Sequence, residues 1–196
     1  MTKYVINPKY LSDDVLKTAA KYFARENSIQ LRQFLLPEAF AKAARALSNA
    51  SLGELYVPDQ YRWHAPKKIP ESVSVLLSWL KSEEASKIIS CVANRSIRCA
   101  LVGISVLTQG DYSLLHDKLK EPPGYDVILD FTPRWDNRAC GHHSYVDGNG
   151  NELARVPVMP NALAIVKRPA GVMKFVKYVN HYAGKDRRIV LEARYA

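Results

Sequence analysis

The apolar residues in the first half of the chain recur three and four positions apart, which is the spacing of one helix face. The first such segment covers residues 13–27. It follows Ser12, a favourable N-cap, and begins with two aspartates that suit the positive end of the helix dipole. Its predicted buried stripe consists of Val15, Ala19, Tyr22 and Phe23. Further helices are predicted to begin at Pro37, at Pro70 and at Ser82.

The second half of the chain changes to short segments that are rich in β-branched and aromatic residues and bounded by turn signals. These predicted strands cover residues 97–108, 124–133, 142–147, 151–158, 161–168, 173–179 and 187–195. The sequence GNGN at 148–151 predicts a hairpin between two of them. Helices followed by strands predict an α+β protein with a β-sandwich or barrel core. We expect one domain over 1–196, with residues 1–95 as a helical flank and first strands and residues 96–196 as the core.

Composition narrows the class of protein further. The chain has 196 residues, 47% of them hydrophobic and 24% charged, as in ordinary globular proteins. It shows no apolar run long enough to cross a bilayer and no signal-peptide pattern at its start, so a cytoplasmic location without membrane contact is expected. Three cysteines without CxxC spacing argue against a disulfide framework or a cysteine-based zinc site. The net charge of +9 is dispersed, which leaves nucleic-acid binding open without favouring it.

An ordered series of motifs in the second half carries more information about function. GDYSLLHD (110–117) is followed by a strand ending in DFTPRWD, by a hairpin, by PNALAIVKR and by an arginine-bearing strand, RRIVLEARY. This series resembles the iron(II)/2-oxoglutarate-dependent dioxygenases of the prolyl-hydroxylase type. The resemblance implies a double-stranded β-helix (jelly-roll) core behind a helical N-terminal flank.

The resemblance also implies a site chemistry and assigns residues to it. Such enzymes bind iron through a histidine, a carboxylate two residues later on the same strand face, and a second histidine near the C-terminus. His116 matches the first histidine, but Lys118 stands at the carboxylate position. Counted from Pro160 and Asn161 along NALAIVKRPAGVMKF, the register of the resemblance puts Lys174 at the position of the second histidine. Arg188 matches the residue that binds the distal carboxylate of 2-oxoglutarate, and Tyr112 is a candidate supporting hydroxyl.

The two lysines separate two functional hypotheses. A protonated lysine has no lone pair and repels a divalent cation, so Fe(II) binding is in doubt even though the resemblance implies Fe(II) and 2-oxoglutarate. The first hypothesis is a hydroxylase that acts on a small molecule or peptide through His116 and a non-standard ligand set. The second is a metal-free descendant that binds an anionic ligand or a partner, or that uses Lys118 and Lys174 as catalytic amines.

Other residues offer a rearranged site. Asp117 follows His116 directly, so a β-bulge would be needed to turn both side chains to one face. Further nitrogen donors are His142, His143 and His181. For the adjacent pair we expect one ring packed inward and the other solvated.

Residues 52–68 are rich in aromatic residues and interrupted by prolines, which predicts a strand followed by a loop. The second part of this stretch, YRWHAPKK (61–68), combines aromatic and basic side chains. It is a candidate for the rim of a substrate entrance or for stacking on a nucleic-acid base. The alternative is that its aromatic rings cover the edge of a sheet.

Overall fold

The structure, a computed structural model, describes residues 5–115 and 122–196. Within these ranges the chain forms four α-helices, which are α1 (Asp13–Glu26), α2 (Pro37–Ser48), α3 (Glu71–Leu80) and α4 (Glu83–Ala93). All four match predicted helices. Ser82 caps α4 as expected, because its hydroxyl accepts a hydrogen bond from the backbone N–H of Ala85 at 3.2 Å.

The described part of the chain also contains eleven β-strands. They are β1 (Ser28–Arg32), β2 (Leu52–Val57), β3 (Tyr61–Pro66), β4 (Cys99–Leu107), β5 (Tyr112–Ser113), β6 (Gly124–Asp130), β7 (His143–Val146), β8 (Glu152–Val156), β9 (Ala162–Arg168), β10 (Met173–Val176) and β11 (Arg188–Tyr195). All the pairings between these strands are antiparallel. The predicted α+β class is therefore confirmed.

The strands form one curled sheet in the order β1-β9-β6-β11-β4-β3-β5-β10-β7-β8, with β2 attached to β3. The two end strands approach each other where the Gln30 side chain donates a hydrogen bond to the Pro157 carbonyl at 3.2 Å. The predicted GNGN hairpin joins β7 to β8, and Asp147 and Asn151 close it through a backbone hydrogen bond of 3.0 Å. The result is a barrel that is nearly closed.

Alternation along β11 shows how the sheet separates two environments. Ile189 and Leu191 point to the outer face and belong to the large core shared with the four helices, whereas Val190 lies in a smaller inner cluster. Strand side chains alternate between faces, so Glu192 points inward with Val190. The helices thus cover the outer face of the sheet and leave its inner face for the candidate site.

The structure corrects the predicted stripe of α1. Ala19 and Phe23 are buried as expected, but Leu16 is buried in place of Val15, and Tyr22 is 54% exposed. The helix is turned slightly relative to the prediction, because its contacts are with the neighbouring helix α4 and with β1.

Two strands, β1 and the second strand of a hairpin, were not predicted from the sequence. β1 was not predicted, yet it pairs with β9 over five residues. Residues 52–68 were predicted as a strand and a loop, whereas β2 and β3 form a two-stranded hairpin.

Two smaller expectations concern the membrane and the cysteines. None of the helices in the described ranges is long and apolar enough to cross a membrane. The three cysteines are free thiols, each of them half-buried.

Candidate functional site

The inner face of the curled sheet surrounds a cavity of about 270 Å³. Its walls are mainly apolar and aromatic, with contributions from Tyr61, Trp63, Leu101, Val172, Met173 and Val176. The Tyr61 and Trp63 rings stack with their centroids 4.0 Å apart. The 61–68 segment was a candidate for the rim of a substrate entrance, for stacking on a base or for covering a sheet edge. In the structure its Tyr61 and Trp63 rings lie at the cavity. The cavity also contains charged side chains, contributed by β6, β10 and β11.

Glu192 is the centre of the charged group. Its carboxylate accepts a hydrogen bond from Lys174 Nζ at Oε2, at 3.0 Å, and its other oxygen lies 3.2 Å from His143 Nε2. Strand geometry explains the meeting, because β10 and β11 both present these side chains to the barrel interior. Lys174, assigned from sequence to the second metal-binding histidine, therefore lies in the cavity and forms an ion pair there.

A second carboxylate, Asp126 of β6, lies beside this pair. Its Oδ2 atom is 4.0 Å from Lys174 Nζ and 3.1 Å from Arg168 Nε. Burial raises the pKa of Tyr145 well above its usual value, and the nearby Asp126 adds to the shift. The Lys174 ammonium is thus held between two carboxylates.

The protonation states of the group follow from these contacts. Burial alone would raise the pKa of Glu192, but Lys174 and His143 outweigh it and hold that pKa well below its usual range. Burial lowers the pKa of His143 to about 4, against the opposing effect of Glu192. At neutral pH Glu192 is therefore an anion that only accepts hydrogen bonds, and the neutral His143 ring donates its Nε2–H to it.

Arg188, assigned to 2-oxoglutarate, lies behind this group rather than in it. Its side chain is fully buried, and its Nη1 donates a hydrogen bond to the Gly141 carbonyl. Its Nε atom is 3.9 Å from Asp130 Oδ2. Arg188 is not among the residues that line the cavity. By strand alternation Arg188 lies on the same face of β11 as Val190 and Glu192, and its assigned role stays a prediction.

The GD turn at 110–111 has a structural explanation. Gly110 has φ +94°, a left-handed conformation that favours glycine. The Asp111 carboxylate is fully buried, accepts hydrogen bonds from the Thr108 backbone N–H at 2.7 Å and hydroxyl at 3.0 Å, and lies 3.2 Å from His64 Nδ1. Asp111 therefore fastens the turn to β3.

Strand alternation separates the two residues of β5. Ser113 lines the cavity, and Tyr112 is not among the lining residues. The supporting role expected of the Tyr112 hydroxyl therefore stays a prediction.

The remaining sequence candidates divide into two groups. His116, Asp117 and Lys118 lie outside the described residues, so their assigned roles stay predictions. The expected inward-packed ring of the histidine pair is confirmed at His143, which is fully buried, whereas His142 is half-buried. His181 is exposed on a short 3-10 helix and is not among the described residues that line the cavity.

The described part of the cavity does not fit an iron ion. Lys174 is a hydrogen-bond donor to Glu192, His143 also donates to it, and Asp126 already has cationic neighbours. Among residues 5–115 and 122–196, no three His, Cys, Asp or Glu side chains are grouped so as to hold a metal ion. Arg188 is fully buried and is not among the described residues that line the cavity, so the 2-oxoglutarate-binding role assigned to it stays a prediction.

Sequence reasoning missed Glu192 and Asp126, the two carboxylates of the group. A signal was present, since each is an acidic residue within an otherwise apolar strand: Asp126 in GYDVILD, which ends in a second aspartate, and Glu192 in RIVLEARY. Buried charges of this kind are rarely found without a partner.

Comparison with known proteins agrees with the fold. The family model described as "Oxoglutarate and iron-dependent oxygenase degradation C-term" matches residues 56–196. A 2OG-Fe(II) oxygenase family protein from Burkholderia pseudomallei superimposes with a TM-score of 0.66 at 10% identity, over 92% of this chain and 90% of that one. A prolyl-4-hydroxylase from Pseudomonas putida gives a TM-score of 0.60 at 12% identity, over 92% and 97%.

A third structure has a bound peptide. It is a prolyl hydroxylase from Trichoplax adhaerens in complex with a hypoxia inducible factor peptide fragment, with a TM-score of 0.65 at 12% identity over 93% of this chain and 89% of that one. Identities this low establish the fold and not the activity. The predicted jelly-roll core and the resemblance to prolyl-hydroxylase-type proteins are both confirmed.

Proposed function

We propose that this chain, which belongs to the family described as oxoglutarate and iron-dependent oxygenase degradation C-term, binds a small ligand in its jelly-roll cavity without iron. The observation that carries the proposal is the hydrogen bond of 3.0 Å from Lys174 Nζ to Glu192 Oε2. Lys174 is the residue that the resemblance assigns to the position of the second metal-binding histidine. An ammonium ion there supplies fixed positive charge to the cavity, as a divalent cation would, but it offers no lone pair and no open coordination position.

The contacts of Lys174 also favour binding over amine catalysis. An amine acts as a nucleophile or base only in its neutral form. Glu192 and Asp126, at 3.0 and 4.0 Å from the ammonium, stabilise its charged form. For this reason the catalytic role suggested for Lys174 is not part of the proposal.

Anaerobic titration with Fe(II) and 2-oxoglutarate tests the iron-free part of the proposal. We expect neither calorimetric Fe(II) binding nor the visible charge-transfer absorption that a metal-bound 2-oxoglutarate produces. A clear absorption band, followed by succinate release on addition of oxygen, would overturn the proposal and support the hydroxylase hypothesis.

A gain-of-binding variant gives the matched control. Lys118→Asp combined with Lys174→His restores the residue types that the family resemblance expects at those positions. If the register is correct, the double variant gains Fe(II) binding while the single variant Lys177→His, on an exposed lysine, does not. Failure of the folded double variant to bind metal would show that the register, and with it the assigned role of Lys174, is wrong.

A further inference from the structure

We infer that the ligand of this cavity is a small zwitterion with an apolar body, of the chemical class of free α-amino acids. This inference names the ligand class of the proposed iron-free site and therefore rests on the proposed function. Three independent features of the cavity support it: the balance of its charges, the position of the accessible ion pair, and the size and chemistry of its walls.

Among the described residues that line the cavity, cationic and anionic side chains are equal in number. Of the described lining residues, Lys174 and Arg194 are cationic, and Asp126 and Glu192 are anionic. His143, the remaining titratable group among them, is neutral at pH 7. Because both signs of charge occur among the described lining residues, the cavity favours a ligand that itself carries both signs of charge.

The ion pair that a ligand meets is accessible at both of its ends. The side chains of Lys174 and Glu192 are 21% and 24% exposed, whereas Asp126 is 5% exposed. A ligand that carries a carboxylate and an ammonium on the same carbon can bind the former to Lys174 and the latter to Glu192. Either group alone would leave one end of the protein ion pair without a new partner, so a ligand with one charge recovers less of the desolvation cost.

The walls define the rest of the ligand. The stacked rings of Tyr61 and Trp63 stand with Leu101 and Val172 around the charged group. Aromatic and aliphatic walls of this kind bury an apolar side chain. Cavities that hold drug-sized ligands measure roughly 300–1,000 Å³. The volume of about 270 Å³ therefore suits a molecule of amino-acid size.

Gly103 provides the space next to the ion pair. It pairs with Glu192 across β4 and β11, and a Cβ atom added to it would meet no heavy atom within 4 Å. A larger side chain at this position fills space beside the ion pair while Lys174 and Glu192 themselves stay unchanged. Gly103→Leu is accordingly a blocking variant, and Gly148→Leu, at an equally open glycine of the β7–β8 hairpin, is its matched control.

Three probes that share one ring distinguish the ligand classes: L-phenylalanine, 2-phenylethylamine without the carboxylate, and 3-phenylpropanoate without the amine. Titration calorimetry of the full chain is expected to show L-phenylalanine binding at least tenfold more tightly than either analogue. Gly103→Leu is expected to weaken that binding at least tenfold and Gly148→Leu to leave it unchanged. Circular dichroism of both variants confirms that they are folded.

The other outcomes separate the inference from the proposed function. If an analogue with one charge binds as tightly as L-phenylalanine and Gly103→Leu blocks it, the zwitterion inference is overturned while an iron-free binding cavity stands. If none of the probes binds, the inference is overturned, and the Fe(II) titration alone decides the proposed function. Binding that Gly103→Leu does not affect would place the ligand outside the cavity and would also overturn the inference.

Discussion

Replacing Lys174 by methionine removes the ammonium and keeps most of the side-chain volume, so it tests the ion pair with Glu192 directly. Loss of one partner of a fully buried pair costs about 3–5 kcal/mol, and loss of an exposed pair about 0–1 kcal/mol. Lys174 and Glu192 lie between these limits, with 21% and 24% of their side chains exposed. Since His143 still donates to Glu192, we expect Lys174→Met to lower the free energy of unfolding by about 1–3 kcal/mol.

Urea unfolding monitored by circular dichroism at pH 7 measures this loss. The control is Lys177→Met, at an exposed position directly after β10. Glu192→Gln removes the unpaired anion, so adding it to Lys174→Met should cost less than the two single changes together. We expect a coupling of about 1–2 kcal/mol in the double-mutant cycle. A Lys174→Met variant as stable as Lys177→Met, or a cycle without coupling, would refute the pairing and with it the charge-replacement argument.

The effect of Lys174→Met on stability is also expected to depend on pH in a definite direction. The pKa of Glu192 is lowered in the folded protein, so its ion pair contributes full stability above the unfolded pKa of about 4.5 and loses it as the pH falls towards the folded pKa. The stability difference between the wild type and Lys174→Met should therefore be constant between pH 6 and 7 and shrink below about pH 4.5. A difference that stays unchanged down to acid unfolding would show that Glu192 is not the partner.

Two further substitutions and one titration test other parts of the structure. Arg168→Met should cost about 3–5 kcal/mol in urea unfolding, because it leaves the Asp126 carboxylate buried without its 3.1 Å partner; a loss below 1 kcal/mol would contradict the buried pair. Gly124→Ala should destabilise the fold markedly, since its Cβ would lie 2.6 Å from a backbone carbonyl oxygen, whereas Gly148→Ala meets open space and should be near neutral in the same thermal-unfolding assay. The ring of His143, whose pKa burial lowers to about 4, should remain neutral in an NMR titration down to about pH 5; protonation near pH 6.5 would exclude its burial.

The fold was predictable wherever the pattern was local. The helix beginning at Pro37 has a proline in its first turn and good helix formers, and the helix after Ser82 has a side-chain cap. Each apolar strand of the second half has its own turn signals. β1 was missed because its five residues are mostly half-buried and alternate weakly, so its strand character comes from pairing with β9, more than 130 residues away. Long-range pairing of this kind leaves little trace in a single sequence.

The candidate site was predictable in part for the same reason. The resemblance assigned Lys174 to the site, and Lys174 lines the cavity, whereas the role that it assigned to Arg188 stays a prediction. It could not identify Glu192 as the partner of Lys174, since alternation fixes the face of a residue but not its neighbour across the barrel. The role expected of Tyr112 stays a prediction, because Tyr112 is not among the described residues that line the cavity.

The pairing of β1 with β9 bears on how the protein can be divided for experiments. The family match begins at residue 56, but β1 at 28–32 covers one edge of β9, whose other edge is paired with β6. A fragment that starts at residue 56 would lose this cover together with α1 and α2, and would present an apolar strand with free backbone groups. Such a fragment is expected to self-associate in size-exclusion chromatography, so the boundary of sequence similarity is not a boundary of independent folding.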